Sequence, residues 1–234
     1  MNELFSRTEL LVGKENIEKL KNANVLIIGI GGVGSFSAEG LARAGVCNLC
    51  LIDNDIVSKS NINRQIIALH STIGKAKVDV MRDRILDINP DCNVTTKKIF
   101  VTSENIDTID FSKFDYIIDA IDTITSKILI IQKTTLQNVA HISCMGTGNK
   151  ITADFIVDDI KNTVVCPLAK VMRHELKVRG ILSCKVIYSK DKPTKPTENI
   201  SDGFRRVIPG SISYTPSMAG LLAAREAILS ILGF

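Results

Sequence analysis

Short apolar runs alternate along the chain with longer segments in which apolar residues recur at helical spacing. Residues 24–30 form the first apolar run, and they lead into a glycine-rich segment. Residues 35–44 follow with helical spacing, and a second apolar run ends at Asp53. This order predicts a strand, a glycine turn, a helix and a second strand, which together make a βαβ unit.

The same alternation continues downstream. We expect two further helices and three further strands, at residues 73–88 and 123–137 for the helices and 94–99, 116–120 and 141–144 for the strands. The first of these helices should stop at Asn89, because a residue before proline disfavours helix. The pattern predicts an α/β, Rossmann-like fold in which a mostly parallel sheet carries helices on both faces.

The last third of the chain is less regular. It predicts a strand over 151–157, a helix opening at Pro167, a strand over 185–188, a loop over 190–210 and a helix over 216–232. No linker and no internal repeat interrupts the sequence. We therefore expect one domain over residues 1–234, with a regular part at 1–150 and a mixed, irregular part at 151–234.

Composition adds one asymmetry to this picture. The 234 residues include 29 Lys plus Arg and 25 Asp plus Glu, a net charge of +4. Residues 1–150 contain 17 basic and 17 acidic side chains, whereas residues 161–206 contain 11 basic and four acidic ones. A basic segment beside a neutral body favours a polyanionic partner, although a solvated face explains it equally simply.

Other classes are disfavoured by composition. The hydrophobic content of 45% is typical of a globular domain, and no apolar run reaches the roughly 18 residues of a membrane span. The N-terminus lacks an apolar signal core, so we expect a cytoplasmic protein with free thiols. Cys47 and Cys50 have metal-like spacing, but on a strand they face opposite sides, which disfavours zinc.

The first βαβ unit contains a nucleotide-binding pattern. Gly29, Gly31 and Gly34 have the G-x-G-x-x-G spacing that lets a backbone approach phosphate at a helix N-terminus. Asp53 follows the second strand, where a carboxylate accepts hydrogen bonds from ribose hydroxyls. These residues alone fit an NAD-dependent dehydrogenase as well as a mononucleotide enzyme.

Residues beyond Asp53 favour chemistry at phosphorus. Arg64 and Lys77 place two cations where they can converge on phosphates, and hydride transfer has no need of such a clamp. Asp122 follows the strand at 116–120, and a carboxylate there can hold magnesium against nucleotide phosphates. Taken singly, each residue also fits an ordinary surface or capping role. Their joint spacing is what favours a site.

The combination resembles a known family. The glycine motif, Asp53 with Asp55, Asn61 with Arg64 and Gln65, Gly74 with Lys77, and Asp119 with Asp122 are similar to the ATP-dependent adenylating enzymes related to ubiquitin activators and sulfur-carrier adenylyltransferases. The resemblance implies ATP and Mg²⁺ as cofactors. It implies that ATP is bound by Gly29, Gly31, Gly32, Gly34, Asp53, Asp55, Asn61, Arg64, Gln65 and Lys77.

It further implies specific roles for a few of these residues. Asp53 would bind ribose, Arg64 and Lys77 would act catalytically on the phosphates, and Asp122 would act catalytically as the magnesium ligand. Arg7 matches an arginine that members of the family supply across a dimer interface to the γ-phosphate end of ATP, so the resemblance implies that Arg7 is catalytic and that the active unit is a homodimer. By itself, Arg7 also fits an ordinary surface arginine on a short N-terminal helix.

The C-terminal third narrows the resemblance. Residues 166–173, 185–189, 209–213 and 216–220 resemble the tRNA threonylcarbamoyladenosine dehydratases of the same superfamily. This implies adenylation of a threonine carboxylate on a modified adenosine beside the anticodon, then ring closure with loss of water. The two C-x-x-C zinc pairs usual in enzymes that activate sulfur carriers are missing. Such an adenylyltransferase and a non-catalytic nucleotide sensor remain as alternatives.

That chemistry bears on the role of Cys166 and on the basic segment of residues 161–206. Ring closure by an internal carbamoyl group has a large proximity advantage, so no enzyme nucleophile is required, and Cys166 is interpreted as structural rather than reactive. Phosphates of a tRNA anticodon loop attract lysine and arginine. The candidate RNA-binding residues are Lys170, Arg173, Lys177 and Lys185. A sulfur-transfer protein is a further possible partner.

Overall fold

The computed structural model describes residues 3–198 and 208–234. These residues form one seven-stranded sheet, whose strands are β1 (Asn24–Ile28), β2 (Asn48–Ile52), β3 (Asn93–Lys97), β4 (Tyr116–Asp119), β5 (His141–Cys144), β6 (Phe155–Asp159) and β7 (Lys185–Ser189). Their order in the sheet is β3-β2-β1-β4-β5-β7-β6. All neighbouring strands pair in parallel except β6 and β7, which are antiparallel. The α/β, Rossmann-like prediction is confirmed.

Helices cover both faces of this sheet. They are α1 (Ser6–Val12), α2 (Lys14–Asn22), α3 (Gly34–Ala44), α4 (Lys77–Ile88), α5 (Ile124–Leu136), α6 (Pro167–Val178) and α7 (Tyr214–Leu232). On β1, Val25 and Ile27 belong to a core shared with α3, α4 and α7, whereas Leu26 and Ile28 belong to a core shared with α5. Alternate strand residues thus contribute to two apolar layers, which is why the central strands β1 and β2 are apolar at most positions.

The two cysteines of the C-x-x-C pair obey the same alternation. Cys47 lies in the core that includes α3 and α7, and Cys50 lies in the core on the other face. Both thiols are free and buried. Cys47 immediately precedes β2 and Cys50 lies within it, and side chains three positions apart along an extended segment point to opposite faces.

Several element boundaries differ from those predicted. The helix expected from residue 73 begins at Lys77, because Gly74 has a φ of +85° and Ala76 pairs with Ile56 in an isolated bridge. The strand expected at 151–157 occupies Phe155–Asp159, because Ala153 has a φ of +57° that no strand allows. The final helix starts at Tyr214, since its first turn tolerates Pro216.

The C-terminal helix packs closely on the helix that follows the glycine turn. A Cβ added to Gly220 of α7 would lie 2.3 Å from the carbonyl oxygen of Val33. Ser37 of α3 donates a hydrogen bond of 2.9 Å to the carbonyl oxygen of Gly220. The irregular C-terminal third therefore contributes directly to the core of the nucleotide-binding half. Among the described residues, no helix has both the length and the apolarity of a bilayer span.

Candidate active site

The main cleft, of about 850 Å³, lies at the carboxyl ends of β1, β2 and β4. Most residues predicted to bind nucleotide line it: Gly29, Gly31, Gly32, Asp53, Asp55, Asn61, Arg64, Gln65, Lys77 and Asp122. Ligands of open α/β sheets bind at this edge, where the strand order reverses. The sequence separates these residues by almost 100 positions, and the parallel sheet brings them together.

The glycine turn has two kinds of glycine. Gly29 has a φ of +91°, and a Cβ added to Gly34 would lie only 1.8 Å from the carbonyl oxygen of Gly29. Those two positions are restricted by the turn itself. At Gly31, an added Cβ would find only Gln65 Nε2 nearby, at 3.8 Å, so this position opens on the cleft. Gly31 is where a phosphate can approach the backbone.

Asp53 is fixed by backbone donors. The amide of Ile30 donates to Asp53 Oδ2 at 2.6 Å, and the amide of Asp55 donates to Asp53 Oδ1 at 2.8 Å. Burial raises the pKa of Asp53 above 3.8, while the nearby Lys77 ammonium opposes that rise. The carboxylate is thus held rigidly at the edge of β2, ready to accept hydrogen bonds from a ribose.

Two cationic side chains, Lys77 and Arg64, also line the cleft. Lys77 is buried, and its Nζ lies 2.7 Å from Asp55 Oδ2. Arg64 donates to the carbonyl oxygen of Ser60 at 2.8 Å and to Asn63 Oδ1 at 3.0 Å. Both cations are therefore positioned by neighbouring groups. An incoming polyphosphate would share Lys77 with Asp55.

Two side-chain amides, of Asn61 and Gln65, also line the cleft. Asn61 is buried, and its Oδ1 accepts a hydrogen bond of 3.1 Å from the backbone amide of Ser58. Gln65 is also buried, and its Oε1 has no hydrogen-bond partner in the described structure. An orphaned polar atom beside the open face of Gly31 fits a cleft whose hydrogen bonds are completed by a ligand or its water.

The turn after β4 separates its two carboxylates. Asp122 is exposed and lines the cleft, whereas Asp119 is fully buried and its Oδ2 lies 2.9 Å from Lys127 Nζ. Asp119 is therefore packed inside the fold, and Asp122 is the carboxylate of this pair that borders the cleft. Sequence reasoning missed Lys127, although a lysine within the apolar segment 124–136 was a detectable signal.

Residues beyond β5 line the same cleft. They include residues 145–150, Cys166 to Leu168 and residues 208–211. Lys150 is buried there and donates a hydrogen bond to the carbonyl oxygen of Asp191, a contact that the sequence did not indicate. Cys166 is buried at the N-cap of α6. These residues extend the cleft beyond the residues predicted to bind nucleotide.

The candidate RNA-binding residues fall into two groups. Lys170 and Lys177 are exposed on α6, whose first turn borders the cleft. Arg173 donates to both the carbonyl oxygen and the hydroxyl of Thr163 at 2.6 Å. Lys185 begins β7, at the edge of the sheet opposite the cleft, and its Nζ lies 3.4 Å from Glu226 Oε2. Lys170 and Lys177 are thus the exposed pair on the helix that borders the cleft, whereas Lys185 is also exposed but lies at the far edge of the sheet.

Arg7 lies in the first turn of α1 and is exposed. It does not line the cleft of its own chain. Within the described residues, the cleft therefore receives its cations from Arg64, Lys77 and Lys150. The basic residues Arg205 and Arg206, which fall in the predicted loop over 190–210, lie outside the described residues.

Comparison with known proteins is consistent across sequence and structure. A model of the ThiF family matches residues 5–234. The tRNA threonylcarbamoyladenosine dehydratase of Bacillus subtilis is 41% identical over 97% of this chain and 94% of its own length. The Escherichia coli protein of the same name is 39% identical over 74% of this chain and 65% of its own length.

Solved structures give the same relationship. The Escherichia coli tRNA threonylcarbamoyladenosine dehydratase in complex with AMP superimposes with a TM-score of 0.90 at 32% identity, covering 99% of this chain and 94% of its own. The same protein in complex with ATP gives a TM-score of 0.88 at 31% identity, with the same coverage. The resemblance inferred from the motifs is confirmed: the chain belongs to the ThiF family and is related over nearly its full length to the tRNA threonylcarbamoyladenosine dehydratases.

Proposed function

We propose that this protein is an ATP-dependent tRNA threonylcarbamoyladenosine dehydratase. The observation that carries the proposal is one cleft lined by a glycine turn, by the Asp53 carboxylate, by two cations and by further residues beyond β5 that can serve a second substrate. The full-length similarity to the Bacillus subtilis dehydratase supports the same reaction. The proposed setting is the cytoplasm.

The first step joins the substrate carboxylate to AMP. A threonine carboxylate oxygen attacks the α-phosphorus of ATP, the bond to the bridging oxygen breaks, and pyrophosphate leaves. Negative charge accumulates on the leaving phosphates, so the Arg64 guanidinium and the Lys77 ammonium stabilise the transition state. Asp53 holds the ribose and Gly31 admits the phosphates, which fixes the position of the α-phosphorus in the cleft.

The second step closes a ring. A nucleophilic atom of the carbamoyl group attacks the acyl carbon, AMP departs with its phosphate oxygen, and the carbamoyl group loses a proton. The substrate loses the elements of water in total, while ATP becomes AMP and pyrophosphate. Because the attacking group belongs to the same side chain, the enzyme need only hold the acyl-adenylate and exclude water.

Magnesium fits the donor set at the phosphate end of the cleft. Asp122 is an exposed carboxylate at the carboxyl end of β4, and Mg²⁺ commonly binds through one or two carboxylates together with substrate phosphates and water. When bound, the ion would neutralise phosphate charge. Asp122 would hold it, and the turn of residues 120–123 carries Asp122.

Partners follow from the positions of exposed basic residues. Arg7 lies outside its own cleft, which suits an arginine that serves the neighbouring site of a homodimer. Lys170 and Lys177 lie on the helix that borders the cleft, which suits contacts with anticodon-loop phosphates. Arg173 is hydrogen-bonded to Thr163 and Lys185 pairs with Glu226, so Arg173 and Lys185 are weaker candidates for RNA contact. A sulfur-transfer protein remains a possible further partner.

The test is a coupled assay of nucleoside and nucleotide. The protein is incubated with ATP, Mg²⁺ and tRNA bearing threonylcarbamoyladenosine, after which nucleosides are weighed by mass spectrometry and AMP is measured. We expect one water to be lost from the nucleoside for each AMP formed, and Asp122→Asn to abolish both while leaving the thermal unfolding temperature unchanged. AMP formation that requires a sulfur-carrier protein instead of tRNA would refute the proposal.

A further inference from the structure

A fully buried ion pair lies beneath the phosphate end of the cleft. Asp119 ends β4, Lys127 lies in α5, and neither side chain has any solvent exposure. Removing two charges from water is costly, and apolar side chains of similar volume are often at least as stable in such positions. The stability of the core therefore does not by itself account for this pair.

Hydrogen bonds around the pair tie down one turn. Lys127 Nζ donates to the carbonyl oxygen of Ile121 at 3.0 Å as well as pairing with Asp119. The amide of Ile121 donates to Asp119 Oδ1 at 3.3 Å, and Ser143 of β5 donates to Asp119 Oδ2 at 2.7 Å. The turn of residues 120–123 is thus held from β4, from β5 and from α5.

The turn of residues 120–123 carries the candidate magnesium ligand and also contacts the glycine turn. It carries Asp122, which lines the cleft. It also supports the glycine turn, because a Cβ added to Gly29 would lie 2.8 Å from Ile121 Cγ2 and 2.9 Å from the carbonyl oxygen of Ala120. A shift of Ile121 would therefore displace the magnesium carboxylate and the floor of the glycine turn together.

We propose that Lys127 is a positioning residue for adenylation: through Asp119 and the carbonyl group of Ile121, it keeps Asp122 and the glycine turn at a fixed spacing across the triphosphate. Lys127 does not line the cleft, so it acts through these groups and not on the substrate. The identity of the reaction rests on the proposed function. The test below uses only ATP and Mg²⁺, so its result does not depend on which carboxylate is activated.

The experiment compares two ways of breaking the pair. Lys127→Met removes one charge and leaves a buried carboxylate, whereas Asp119→Asn with Lys127→Met removes both. ATP affinity is measured calorimetrically across a range of Mg²⁺ concentrations, and thermal unfolding is measured in parallel. Lys133→Met is the matched control, because Lys133 lies on the same helix and pairs with Asp107 at the surface.

We expect the single variant to lose both stability and affinity. The double variant should regain most of the lost unfolding temperature, yet its affinity for Mg²⁺-bound ATP should stay about 10-fold or more below that of the wild type, as when outer-shell partners of a metal site are removed. Lys133→Met should match the wild type in both measurements. A double variant with wild-type stability and wild-type Mg²⁺ dependence would overturn the proposal.

A milder variant covers the case in which the double variant does not fold. Ser143→Ala removes one hydrogen bond to Asp119 and leaves the charges paired. We expect it to fold and to bind Mg²⁺-bound ATP several-fold more weakly, whereas unchanged binding would overturn the proposal. Normal Mg²⁺-dependent ATP binding by a wild-type protein that fails to dehydrate the modified nucleoside would instead refute the proposed function and leave this inference standing.

Discussion

Alanine at Gly31 and at Gly34 should separate ligand binding from folding. At Gly34 the added Cβ would lie 1.8 Å from the carbonyl oxygen of Gly29, so the two must move apart by more than 1 Å to reach even a tight contact. Overpacking usually costs about 1–3 kcal/mol, and a backbone obstacle leaves little room for relief, so we expect about 3 kcal/mol. For a chain of this size, that lowers the unfolding temperature by roughly 6–12 °C.

Gly31→Ala should behave in the opposite way. Its added methyl group meets only Gln65 Nε2, at 3.8 Å, so the unfolding temperature should stay within about 2 °C of the wild type. The methyl group projects into the space that phosphates need, and we expect ATP affinity to fall by about 10-fold or more, equivalent to about 1.4 kcal/mol.

The measurements are thermal unfolding by circular dichroism and ATP binding by calorimetry, for both variants and the wild type. Gly180→Ala serves as a control, because Gly180 has no atoms within 4 Å of its added Cβ and lies beyond α6, although its φ of +76° should cost some stability. If Gly34→Ala unfolds at the wild-type temperature, the close approach inside the turn is wrong. If Gly31→Ala binds ATP normally, the phosphates do not pass this backbone.

Three further predictions concern assembly, charge and pH. The Arg7→Ala and Asp122→Asn variants should each be inactive. When the two variants are mixed and exchange subunits, roughly a quarter of wild-type turnover should return, because half of the dimers are then mixed and each mixed dimer contains one intact site. No recovery would refute donation of Arg7 across the interface. The double variant Lys170→Glu with Lys177→Glu should weaken tRNA binding and reduce its salt dependence, and Lys113→Glu is the exposed control. An unchanged affinity would mean that this face of α6 is merely solvated and does not contact RNA. Burial raises the pKa of Glu39, but hydrogen bonds from Arg84 and Arg43 lower it to a net value below 4.5. Its contribution to stability is therefore present above pH 4.5 and lost as pH falls through the lowered pKa, so the urea midpoints of wild type and Glu39→Gln should differ at pH 7 and converge in acid.

The central strands were predictable because strands buried on both faces have apolar sequences. Residues of β1 face apolar layers on both sides, so the segment is apolar at consecutive positions. The glycine motif was equally readable, since Gly29 and Gly34 are required by the geometry of one local turn. Local causes of this kind leave a local signal.

Features that depend on distant partners left weaker signals. Lys150 contacts Asp191, 41 positions away, and Lys127 is a core residue only because β4 places Asp119 beneath it. The charge count of the basic segment could not distinguish Lys170, which is exposed, from Arg173, which is bound to Thr163. The start of α4 at Lys77 depended on the positive φ of Gly74, which the apolar spacing at 73–88 does not encode.

The contact between α3 and α7 has a consequence for how the site is made in the cell. The helix that presents the glycine turn is supported by Gly220 and Ala224, and Pro216 packs against Gly32. Gly220 follows Ser37 by 183 residues in the sequence, so during synthesis the nucleotide site stays incomplete until α7 has left the ribosome. Chains interrupted before α7 should therefore expose an unfinished core instead of a working ATP site, and protein quality control would recognise them by that exposed apolar surface.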